Sequence, residues 1–150
     1  MTLMSYLKKF TYLILAIGVS SANAGSFEDF FLAIHNDNTV VLSGLFQRGF
    51  DPNTVNEKGQ PGLTVAMQER ALKAAALLLQ QPGVKIDALN QAGESALMMA
   101  SQYGSEDSVK LLLDRGADPN RRNQRELRAV DFAKLAGRDQ LAARLQKLQR

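Results

Sequence analysis

Residues 56–113 contain two copies of one pattern offset by 34 positions. That shift sets Asn56 on Asn90, Gly59 on Gly93, Leu63 on Leu97, Ala66 on Ala100, and Leu77, Leu78 and Leu79 on Leu111, Leu112 and Leu113. A shift of 67 sets the run from Arg48 to Asn53 (RGFDPN) on the run from Arg115 to Asn120 (RGADPN), with five of six positions identical. A weaker copy keeps the phase: Asn123, Ala133 and Gly137 each follow Asn90, Ala100 and Gly104 by 33. A fixed period of this length means stacked units, each unable to bury its apolar face without a neighbour. The spacing divides the chain after residue 24 into units at about 26–55, 56–89, 90–122 and 123–150.

Within each unit the apolar positions have helical spacing. Leu63, Ala66 and Met67, and then Leu97, Ala100 and Ser101, fall at i, i+3, i+4, with small residues where neighbouring units must approach. Gly104 and Gly137 are expected to break the helix pairs with positive φ. Asp37 and Asn38 serve the first unit in the same way, and Arg70 stands at that place in the second, which predicts strain or a lengthened helix. Ser105, followed by Glu106 and Asp107, is a side-chain cap with two carboxylates in the positive first turn of the next helix.

The third unit is the most regular, with GESALMMA from Gly93 to Ala100, Gly104, Val109 to Leu113, and GADPN from Gly116 to Asn120. In this order the chain resembles an ankyrin repeat protein, of a small exported bacterial type. The resemblance covers nearly all of residues 26–150. It implies an all-α solenoid of four helix-turn-helix units joined by loop fingers, and a non-catalytic module that binds a partner protein on its concave helix face and fingers. The family's Thr-Pro-Leu-His element is missing from every unit, so its Thr-to-His hydrogen bonds are lost. Arg128 and Asp131 stand where an i, i+3 ion pair can form in the last unit. Phe27, Phe30 and Phe31 at one end and the Gln- and Arg-rich helix from Asp139 to Gln149 at the other read as caps.

The first 24 residues read as a leader rather than as fold. Lys8 and Lys9 precede an apolar run from Phe10 to Val19, and Ala22 and Ala24 form the small-residue pattern that a signal peptidase accepts, so cleavage is expected after Ala24. The apolar run is too short for a spanning helix, which needs about 20 residues. No cysteine follows to carry a lipid anchor. The expected destination is outside the cytoplasm, in the periplasm if the host is Gram-negative.

The chain has no cysteine and one histidine, His35, which excludes thiol catalysis, disulfides and cysteine-ligated zinc. His35 lies on the capping helix with Asp29 and Asp37 nearby, a set that matches no nucleophile or metal motif, and an exposed helix-end histidine is expected. No phosphate-loop or hydrolase signature occurs. An enzyme is not expected, nor is any cofactor or metal.

Charge is unevenly placed. Residues 25–109 carry five cations against ten carboxylates, and residues 110–150 carry eleven against five. The basic cluster Arg121, Arg122, Arg125 and Arg128 falls in the loop before the last unit. It could dock an acidic protein or anionic lipid, or serve as a solubilising end; export argues against nucleic acid. Aligned positions Val65, Gln68 and Glu69, then Met99, Gln102 and Tyr103, then Phe132 and Leu135, are expected on the concave face. Tyr103 and Met99 are the expected anchors, with Glu69, Asn56, Asn90, Arg121, Arg122 and Arg125 as further contacts. Two alternatives stand beside protein binding: weak association of the basic third with an anionic membrane surface, and self-association of acidic front with basic rear. A monomer is the first expectation.

Overall fold

A computed structural model describes residues 21–149. The expected leader lies outside the described residues except for its last four, which open the first helix. Among the described residues eight helices occur in pairs: α1 (Ser21–His35) and α2 (Thr39–Gln47), α3 (Gly62–Gln68) and α4 (Leu72–Leu79), α5 (Ala96–Tyr103) and α6 (Glu106–Asp114), α7 (Ala129–Leu135) and α8 (Asp139–Lys147). The first helices α1, α3, α5 and α7 pack side by side in chain order, and α2, α4 and α6 form a second row behind them. This is the all-α solenoid that the period implies.

Stacking is close because the contact positions are small. Ala33, Ala66, Ala100 and Ala133, one per unit, are all buried. Behind them the second helices bury one residue pair each at i, i+3: Leu42 and Leu45, Ala75 and Leu78, Val109 and Leu112, Ala142 and Leu145. Each buried leucine contributes about 1.5–3 kcal/mol, and most of it exists only when the neighbouring unit is present. Phe30 fills the core position at the first end, in edge contact with Phe31 at 4.9 Å and tilted against Phe50 at 4.9 Å. The aromatic packing also dictates a glycine: a Cβ on Gly62 would lie 2.7 Å from Phe30 Cζ and 3.2 Å from Ile34 Cδ1.

The helix-breaking turns follow the expected positions with one correction. Asp37, Arg70 and Gly137 have φ of 50°, 62° and 69°. In each case the next amide reaches back to the buried alanine: Asn38 N–H to Ala33 O, Ala71 N–H to Ala66 O, and Arg138 N–H to Ala133 O, at 2.8, 2.8 and 2.9 Å. Of the two outcomes open for Arg70, strain is the one realised, since α3 ends at Gln68. Gly104 departs from its expected role. Its φ is −77° and ψ 175°, an extended conformation open to any residue. Glycine is needed there for space, because a Cβ would sit 2.9 Å from Ala100 Cα and 2.5 Å from Ser108 Oγ. Ser105 caps α6 as expected, accepting from Ser108 N–H at 3.1 Å.

The missing Thr-to-His bonds are replaced in the third and fourth units, by different groups. Ser95 Oγ accepts from Met98 N–H at 3.3 Å, and Arg128 N–H donates to Asp131 Oδ2 at 2.8 Å while the two side chains pair at 3.8 Å. In the second unit nothing replaces them, and the buried Thr64 hydroxyl has no hydrogen-bond partner among the described residues.

Candidate functional site

Three loop fingers project between units, and one asparagine builds each. Asn56 Oδ1 accepts from the amides of Lys58 and Gln60 at 3.0 and 2.9 Å. Asn90 Oδ1 takes those of Ala92 and Glu94 at 3.0 and 2.9 Å. Asn123 Oδ1 takes those of Arg125 and Leu127, both at 2.9 Å. The backbone closes across each turn, with Asn56 N–H to Gln60 O at 2.9 Å, Asn90 N–H to Glu94 O at 3.0 Å and Asn123 N–H to Leu127 O at 2.9 Å. Gly59 and Gly93 take positive φ at the turn, and Glu126 holds the same conformation at φ 62° without being glycine. Adjacent fingers interlock, since Gln124 Nε2 donates to Gln91 O at 2.7 Å.

The first finger, α1 and α3 enclose a groove of about 460 Å³. Phe27, Phe31 and Val65 supply its apolar wall, and Asn56, Glu57, Lys58, Glu28, His35 and Glu69 form its rim. His35 Nδ1 lies 3.2 Å from Glu69 Oε2, tying the ends of α1 and α3 across the rim. Both groups are largely in water, so the pair adds little stability but sets the side chains' positions. An apolar wall with a few convergent polar groups is the general form of a binding site. Further along the same row of first helices, Tyr103 stands one unit on from Glu69 and is 44% exposed.

The residues expected to make contacts divide. Glu69 and Asn56 both line the groove, together with His35, which the sequence placed only as an exposed helix end. Tyr103 is open to solvent, and Arg121, Arg122 and Arg125 are exposed on and before the third finger. Met99 is corrected: it is 4% exposed, packed in the core at the face between units, and offers no surface as an anchor. Phe132, expected on the same face, is buried for the same reason. Asn90 is likewise corrected in role, because its side-chain oxygen and amide are taken up inside its own finger, the amide by Glu94 Oε2 at 2.9 Å. Asn56 is committed in the same way, its oxygen to the amides of Lys58 and Gln60 and its amide to Gln60 Oε1 at 2.9 Å, so it shapes the rim of the groove through its finger. Val65, expected on the concave face, lines the groove, whereas Phe27 and Phe31, expected only as an end cap, join it because their partial burial depends on how far α1 stands from α3. The signal available was Val65 itself, an apolar residue aligned with two buried ones but placed beside the end unit.

The basic rear is largely spent within the chain. Lys110 pairs with Asp114, Arg122 with Glu126 at 3.7 Å, and Arg144 with Glu106 at 2.6 Å. Arg115 Nη1 donates to Leu79 O at 2.7 Å, and Arg138 Nη1 donates to Ala100 O and Ser101 O. These cations tie units and helix ends together instead of forming one free patch. Among the described residues no group of three or more His, Cys, Asp or Glu side chains is arranged to hold a metal ion, and no helix is long and apolar enough to cross a membrane.

Comparison with known proteins gives a consistent picture. The family model described as ankyrin repeats (three copies) matches residues 30–123. An ankyrin repeat-containing protein of Treponema pallidum (strain Nichols) is 35% identical over 109 residues, covering 71% of this chain and 36% of that protein. The spider toxin alpha-latrocrustotoxin-Lt1a of Latrodectus tredecimguttatus is 27% identical over 101 residues, covering 67% of this chain and 7% of the toxin. The photoreceptor ankyrin repeat protein of Homo sapiens is 33% identical over 88 residues, covering 57% of this chain and 19% of that protein. The chain therefore spans about a third or less of the length of these relatives.

Proposed function

Because the chain belongs to the ankyrin repeat family, whose members are generally protein-protein interaction modules, we propose that it is an exported, non-catalytic module that binds one partner protein through its first-helix face and fingers. The observation that carries this is the groove between α1, α3 and the first finger, with Phe27, Phe31 and Val65 as wall and Glu69, Asn56 and Lys58 as rim. An aromatic pocket bordered by polar groups supplies contact area at its centre and orientation at its edge. Tyr103 extends the surface by one unit, and its ring offers a large contact at modest entropic cost. Arg121 and Arg125 at the third finger add charge at the far edge. Export rests on the Lys8–Lys9, Phe10–Val19 and Ala22–Ala24 pattern.

The test is a crosslinked pull-down from the compartment in which the protein resides, with the native chain as bait. Two folded controls accompany it, Val65→Lys with Tyr103→Glu, and Arg121→Glu with Arg125→Glu. One prey enriched by the native bait and lost with the first control supports binding at the groove face. A prey retained equally by both controls would place the contact elsewhere and overturn the assignment. Localisation is checked separately by the mass of the mature N-terminus, which begins at Gly25 if the leader is removed as expected.

A further inference from the structure

The two ends of the solenoid differ from its internal interfaces in a complementary way. Counting by units, Asp29 occupies the position of Gly62, Ala96 and Ala129, all buried, and Gly62 lies against Phe30 and Ile34 of the preceding unit. Lys134 occupies the position of Ile34, Met67 and Ser101, all buried. These two positions face each other inside the array, since the site of a Cβ on Gly62 lies 3.2 Å from Ile34 Cδ1. At the two ends of the described array these positions hold an acid on one side and a base on the other. Asp29 and Lys134 are both exposed, and neither has an ion-pair partner among the described residues.

A second pair of positions behaves alike. Leu32 is in register with Val65, Met99 and Phe132, and Leu135 is in register with His35. Inside the array Val65 and His35 line one groove. At the ends Leu32 is 58% exposed and Leu135 69% exposed, so the positions that would meet are both aliphatic and both open. Lone exposed leucines need no explanation, but two that share a contact register with an opposite-charge pair beside them form a matched surface.

We propose that the chain associates head to tail with a second copy of itself, α1 of one copy continuing the stack beyond α7 of the next, with Asp29 against Lys134 and Leu32 against Leu135. Most cations of the rear are tied within the chain, so the charge that steers this orientation is that of the exposed Asp29 and Lys134 themselves. Such a contact is heterologous and does not close, so assembly grows with concentration instead of stopping at a dimer. The first-helix face and the fingers stay open in the stack, and the partner-binding groove is repeated along it.

Sedimentation velocity on the purified chain, with its N-terminus as the producing cell leaves it, tests this from micromolar to near-millimolar concentration at low and high salt. The native chain is expected to show a sedimentation coefficient that rises with concentration and rises less in high salt. Asp29→Lys and Lys134→Asp, both at exposed positions and each checked for folding by circular dichroism, are each expected to remain monomeric alone. An equimolar mixture of the two is expected to associate again, because each front then meets a rear of opposite charge. A native chain that is monomeric throughout overturns the proposal. So does association that survives either single reversal, which would point to another surface, and so does a mixture that stays monomeric.

Discussion

Arg138 Nη1 donates to both Ala100 O and Ser101 O at 3.0 Å, so a residue of the fourth unit satisfies carbonyls at the end of a helix in the third. The carbonyls near the C-terminus of α5 are where partial negative charge collects, and a guanidinium there satisfies both charge and hydrogen bonding. Arg115 does the same for Leu79 one unit earlier. The arginines that gave the rear of the sequence its basic character are thus partly inter-unit ties.

Replacing Arg138 with Met keeps most of the stem and removes the donors. The expected cost is about 1–2 kcal/mol, from two charge-assisted bonds in a half-buried setting. The loss should be local, with amides of α7 and α8 exchanging faster while those of α3 and α4 are unchanged. Native-state hydrogen exchange reads this directly, and uniform acceleration across all units would contradict it.

Arg70 and Gly104 stand at equivalent turns and predict opposite responses. Arg70→Gly relieves a left-handed backbone at φ 62° and is expected to stabilise by about 0.5–1 kcal/mol after allowing for the greater entropy of glycine in the unfolded chain. Gly104→Ala places a methyl group against the Ala100 backbone and should destabilise by about 1–3 kcal/mol. Urea unfolding of both variants checks the pair, and equal effects would mean that the turns share one geometry.

Thr64 is buried with its hydroxyl unpartnered among the described residues, in a unit that retains no substitute for the family's Thr-to-His bonds. Thr64→Val keeps the shape and removes the polar atom. A gain of about 1 kcal/mol is expected from a thermal or urea midpoint. A loss would show that a bound water satisfies the hydroxyl.

Asn90 serves its finger more than any partner. Asn90→Ala leaves the amides of Ala92 and Glu94 without their acceptor, and the expected cost is about 1–2 kcal/mol in stability because the finger is only half-exposed. A variant with unchanged stability and weaker partner capture would return Asn90 to the role of direct contact.

The fold was legible because the repeat writes each unit's needs more than once. A position such as Ala66, repeated at Ala100 and Ala133, is small in every copy because every copy meets a neighbour there. The site was only half legible. Glu69 and Asn56 were found from alignment with their counterparts, yet Met99, assigned by the same logic, is buried. Alignment reports which residues share a register but not how closely two units approach at that register. At the first end α1 leaves Val65 partly open, while in the third unit the same position is closed over.

By itself the sequence determined the period, the helix pairs and the charge division, since all depend on local spacing and residue chemistry. The tertiary structure decided which of the aligned apolar residues form a groove and which form a core, and that Gly104 is needed for room where Gly137 is needed for its backbone angle. It also decided that Arg115, Arg138 and Arg144 tie one unit to another. These outcomes depend on distances between units, which no residue's own neighbours in the chain can set.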